Sequence, residues 1–111
     1  MTVKGKERRR DRRRHLNLSG RIQGQDVFVV DISITGFGAV ADATNAAKLH
    51  LPEGHHTRLE ILLDDGRHLE MDVEIKRAVT NDGLFGGRFI SLPDKYFRII
   101  EALMLGREHR T

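Results

Sequence analysis

Residues 57–79 read TRLEILLDDGRHLEMDVEIKRAV, and this stretch decides the architecture. Thr57 to Leu63 is an apolar, β-prone run. Asp65-Gly66 follows as a short-hairpin signal of type I′, a turn that needs positive φ at both central positions. The chain then returns over Arg67 to Val79 with Leu69, Met71, Val73 and Ile75 at every second position. A period of two places those four side chains on one face of a half-buried strand. The stretch is therefore an antiparallel hairpin with one apolar face.

The same grammar extends in both directions. Upstream, Leu16, Leu18 and Ile22 alternate, with Gly20 in phase, and predict a first strand. Gly24-Gln25 reads as a turn, Val27 to Ile32 (VFVVDI) as a second strand, and Phe37 to Ala41 as a third after a break at Thr35-Gly36. Asp42 to His56 is a connection in which ATNAAKL can form a helical turn. Downstream, Asn81-Asp82-Gly83 is a turn and Leu84 to Ile90 (LFGGRFI) a final strand. The period then changes. Tyr96, Ile99, Ile100 and Leu103 fall at i, i+3, i+4 and i+7, with Phe97 and Met104 widening the stripe, between Pro93 and Gly106. The expected fold is mainly β: a small six-stranded antiparallel β-barrel with a C-terminal α-helix and a flexible basic N-terminal arm. Residues 1–12 form the arm, and residues 13–111 form the barrel and helix.

Composition narrows the function. A chain of 111 residues fits one domain. It has no cysteine, which excludes disulfides, thiolate metal sites and cysteine nucleophiles. Aromatic residues are 5%, too few for a stacking platform along single-stranded nucleic acid. The opening residues have no apolar core segment, and no run approaches the roughly 18 apolar residues of a spanning helix. A cytoplasmic protein with no membrane insertion is expected.

The charge is lopsided. Residues 1–22 hold nine Lys/Arg against Glu7 and Asp11, a net +7, in a chain whose total is +3. The remainder is therefore mildly acidic, whereas a general nucleic-acid binder more often spreads positive charge over its folded face. His50, His55 and His56 read as solvated loop residues, and no metal site is expected. No Ser/His/Asp arrangement, phosphate-binding loop or dinucleotide fingerprint is present, so the chain does not read as an enzyme.

Two stretches carry recognition chemistry. The first is ERRRDRRR, residues 7–14. The second is DISITG, Asp31 to Gly36. Continued strand period places Asp31 and Ser33 together on one face, opposite Ile32 and Ile34, and Gly36 permits positive φ or close approach of a ligand. A carboxylate accepts the adjacent N1–H and N2–H donors of guanine. Arginine complements O6 and N7 of that base and pairs with phosphate.

Arg-x-x-x-Arg, a strand, and then Asp-x-Ser-x-x-Gly on the next strand resembles the PilZ domain family, over nearly the whole chain. The resemblance implies a barrel that binds the bacterial second messenger cyclic di-GMP, with no further cofactor. Arg8/Arg12, Arg9/Arg13 and Arg10/Arg14 all satisfy the first half-motif. The position of the following apolar residues favours Arg9 and Arg13, with Arg8 and Arg10 as auxiliary phosphate contacts; Arg10/Arg14 is the alternative register. The resemblance gives Asp31 and Ser33 the guanine edge and Gly36 the turn. It also implies a conformational relay to a downstream protein, in motility, biofilm or cell-surface control. The competing readings are a small barrel that binds nucleic acid through the arm, and a PilZ-like adaptor that binds no ligand.

Overall fold

The structure is a computed structural model that describes residues 14–105. The arm, residues 1–12, lies outside the described residues, as do Arg13 and Gly106. Six strands form a closed antiparallel barrel: β1 (Arg14–Ile22), β2 (Gln25–Ile32), β3 (Gly36–Val40), β4 (His56–Leu62), β5 (His68–Arg77) and β6 (Leu84–Ser91). Around the barrel they run β1-β2-β3-β6-β5-β4. Helix α1 (Ala43–Ala46) is the short turn expected in the β3–β4 connection, and α2 (Asp94–Met104) is the C-terminal helix. Asp42 caps α1 by accepting the Asn45 N–H at 2.8 Å.

The alternating positions build the core. Leu69, Met71, Val73 and Ile75 of β5 are buried against Leu59 and Ile61 of β4, Val27 and Val29 of β2, and Leu18 and Ile22 of β1. From α2, Ile100 and Leu103 are buried in the same core, with Tyr96, Ile99 and Met104 partly buried against it. Phe97, expected on this stripe, is instead exposed: the apolar arc of the helix is wider than the surface it covers.

The turns depart from expectation in an instructive way. Ile22 pairs directly with Gln25, so the two-residue loop is Gln23-Gly24, and both residues have positive φ (52° and 78°). That is the type I′ pattern. The Asp65-Gly66 hairpin is real but of another type. There only Gly66 has positive φ (93°), Gly66 N–H donates to Leu63 O at 2.9 Å, and Leu63 N–H donates to Arg67 O at 2.9 Å. This is a three-residue loop ending in a left-handed glycine. Thr80 to Leu84 repeats it around Gly83 (φ 82°). Asp65 reinforces its loop by accepting from the Arg67 backbone N–H at 3.0 Å and from its Nε at 2.8 Å. Those hydrogen bonds, the backbone one first, hold the Asp65 carboxyl below its ordinary pKa.

Candidate ligand-binding site

The site begins with a break in strand alternation. On β2, Val27 and Val29 face the core, so an unbroken strand would turn Asp31 inward as well. A register shift prevents this: Val29 pairs with Ala39 but Asp31 with Gly38, so β2 carries one more residue than β3. Such a bulge re-aims the side chains beside it. Val30 and Asp31 are both half-buried on the outer face, and Ile32 regains the core.

The Asp31 carboxylate lies flat across Gly38. A Cβ built on Gly38 would stand 2.6 Å from Asp31 Oδ2. Gly38 in turn pairs with Gly86 of β6, and Gly86 with Arg77 of β5. One cross-strand row therefore reads Asp31, Gly38, Gly86, Arg77: a carboxylate and a guanidinium with a two-glycine floor between them. Beneath that floor Phe37 packs edge-on against Phe85 (6.2 Å) and is stacked with Phe89 (6.1 Å). The aromatic cluster stiffens the surface from below.

Two clefts open on this face. One of about 210 Å³ lies between Asp31 and Gly38 on one side and Arg77 and Thr80 on the other, with Leu84 and Phe85 in its wall. A second, of about 150 Å³, runs from Thr35 and Gly36 to Lys76, Arg77 and Arg88. Arg77 borders both. Arg88 donates from Nε to Glu74 Oε1 at 2.6 Å. That bond is the leading reason that the Glu74 carboxyl sits below its ordinary pKa, and Lys76 adds to the effect.

The structure separates the residues that sequence placed side by side. Ser33 is not on the open face with Asp31. It is fully buried in the β2–β3 loop, where its Oγ accepts the N–H groups of Thr35 and Gly36 (both 3.2 Å) and shares a 2.9 Å hydrogen bond with Thr35 Oγ1. The backbone N–H of Ser33 closes the same loop on Gly36 O at 2.9 Å. The strand has ended, so alternation no longer predicts direction, and the serine caps its own turn. Ile34, expected opposite, is exposed. Gly36 does not adopt positive φ. Its glycine requirement is contact: a Cβ there would overlap the Gly87 carbonyl oxygen on β6. Asp31, Gly36 and the Ser33 loop thus form one end of the face. Arg8, Arg9, Arg10 and Arg13 lie outside the described residues, and β1 enters the barrel next to this end, with Arg14 opposite Ile32 and His15 opposite Asp31.

The sequence patterns do not single out Gly38, Gly86, Lys76 and Arg77, which the fold gathers on this face. The signals were present. A carboxylate at 31 and a cation at 77 both fall where alternation demands an inward apolar residue, and two glycines interrupt LFGGRFI. On the opposite flank, among the described residues, Glu60, His68 and Glu70 bring potential metal ligands together across β4 and β5. They are largely exposed and engaged otherwise: His68 Nε2 lies 3.3 Å from Glu60, and Arg58 Nη1 3.3 Å from Glu70.

The comparisons agree with this architecture. A profile of the PilZ domain matches residues 6–106, so the chain belongs to the PilZ domain family. Matching solved structures include the Bacillus subtilis inhibitor of motility MotI/DgrA, at 19% identity and a TM-score of 0.72, covering 100% of this chain and 57% of that one. Escherichia coli YcgR, solved in complex with c-di-GMP, matches at 18% identity and a TM-score of 0.66, covering 92% of this chain and 46% of YcgR. This chain therefore spans about half the length of each, and at these identities the likeness is one of fold. No curated protein matches the chain. Among the described residues, no helix is long and apolar enough to cross a membrane.

Proposed function

We propose that this chain is a receptor for cyclic di-GMP and that the Asp31 face, together with the arginine arm, is its binding site. The observation that carries the reading is the bulge that turns Asp31 outward over Gly38, next to the N-terminal end of β1, whose Arg14 and His15 pair with Ile32 and Asp31. A carboxylate held flat over a floor without side chains suits the paired donors on the edge of a guanine base lying on that floor. The arm supplies the fork-shaped donors that phosphate and the O6/N7 edge require. Arg9 and Arg13 make those contacts, aided by Arg8 and Arg10. Ser33 acts from below, fixing the loop that presents Gly36. Membership of the PilZ family and the fold shared with YcgR, a protein solved with c-di-GMP bound, support the assignment.

Nothing in this chemistry is catalytic; the function is recognition. On binding, the arm folds over the barrel as the ligand neutralises it, and part of the interaction energy is spent on ordering. The altered surface is read by a downstream protein. The fold shared with an inhibitor of motility makes motility the first output to examine.

Isothermal titration calorimetry tests the reading. Wild type should bind cyclic di-GMP in the micromolar range or tighter, and Arg13→Ala and Asp31→Ala should each weaken binding at least about tenfold, as expected for loss of charge-assisted hydrogen bonds. Absence of binding by folded wild type would overturn it. Binding to duplex DNA that Asp31→Ala strengthens would instead favour the nucleic-acid reading.

A further inference from the structure

We propose that Lys76 and Arg77 form the far wall of the ligand site, gripping a phosphate of the bound cyclic dinucleotide while Asp31 holds a base edge on the near side. This rests on the receptor reading above and adds contacts that neither half-motif contains. The first observation is a second bulge. On β5, Ile75 pairs with Gly87 and Arg77 with Gly86, so two residues of β5 face one of β6. Ile75 is buried, and an unbroken strand would send Arg77 into the core with it. The bulge leaves Lys76 and Arg77 both exposed, two neighbouring cations on one face. The two bulges thus stand at the two ends of the same cross-strand row, one presenting a carboxylate and the other a cation pair.

The second observation is what separates them. Gly38 and Gly86 are paired, and both lack the side chain that would fill the space between the walls. At the spacing of neighbouring strands, β2 and β5 stand about 14 Å apart along this row, with Asp31 and Arg77 reaching inward over the glycines from either side. A Cβ on Gly86 would come within 3.3 Å of Arg77 Nη2, so this guanidinium lies over its glycine much as Asp31 lies over Gly38.

The third observation is charge. Glu74, two residues before Lys76 on the same strand, is engaged by Arg88 at 2.6 Å. Arg77 makes no ion pair with any described residue. It borders both clefts, and in the smaller one the Thr35 side stands opposite it. A solvated surface arginine requires neither the bulge nor the glycine pair. A phosphate seated between the walls gives both a use, and a cyclic dinucleotide has two phosphates, one of which the β5 pair can take.

Calorimetry with cyclic di-GMP on the full chain tests this, using Arg77→Ala, Lys76→Ala and Arg77→Lys beside Asp31→Ala, with melting temperatures checked. Arg77→Ala should bind at least about tenfold more weakly than wild type. Its affinity should also depend less on ionic strength, and Arg77→Lys should recover part of the loss. If wild type binds and Asp31→Ala does not, while Arg77→Ala and Lys76→Ala match wild type in affinity and salt dependence, the far wall is refuted and the receptor reading stands. If wild type itself does not bind, both fall.

Discussion

Ser33 and Gly36 show how much structural work a short motif can do. Ser33 holds the β2–β3 loop through two backbone N–H groups in a buried setting. Ser33→Ala leaves those donors without their acceptor and should cost about 1–3 kcal/mol in urea denaturation. Any effect on ligand affinity would then come through loop geometry. At Gly36 an added methyl group meets backbone, which cannot rotate away. Gly36→Ala should therefore destabilise by about 1–3 kcal/mol, an overpacking effect visible as a lower melting temperature. Glu74 adds a pH-dependent term. Its carboxyl is held below its ordinary value of 4.5, chiefly by Arg88, so it contributes stability above that value and loses it as pH falls through the lowered pKa. Stability measured from neutral pH into acid should fall less steeply below 4.5 in Glu74→Gln than in wild type.

Elements were more legible than residues, because each strand repeats its signal several times. The six strands and the C-terminal helix follow from apolar spacing, β-prone runs and the turns between them, since Leu69, Met71, Val73 and Ile75, or Ile99, Ile100 and Leu103, vote together. Ile100→Ala should cost about 2–5 kcal/mol in the same denaturation assay, as a cavity in the shared core. The site was legible only in part. Asp31 could be picked out, but the direction of Ser33 could not, because a strand period carries no information past the strand end. The far side of the face went unread because a bulge inverts alternation and leaves only an indirect trace: a charged residue where an apolar one belongs. Turn type suffered similarly. Asp-Gly permits two hairpin geometries, and here the loop length chose the one that leaves only the glycine left-handed.

At the scale of the molecule, positive charge is concentrated at one end of the sequence while the barrel is mildly acidic. If the arm exists to close over an anionic ligand, deleting residues 1–12 should leave the barrel's thermal stability nearly unchanged, since Met1 and Val3 are the only large apolar side chains in that segment. It should weaken cyclic di-GMP binding at least about a hundredfold, the scale of losing two charge-assisted contacts. Binding should also survive moderate salt far better than polyanion binding would. The measurement that tests the central claim most directly is an amide NMR titration of the full chain with cyclic di-GMP. The account predicts saturable shifts at Asp31, Gly36, Gly38, Gly86 and Arg77, with the Glu60–His68–Glu70 flank unmoved. Shifts confined to that opposite flank, or none at saturating ligand, would contradict it.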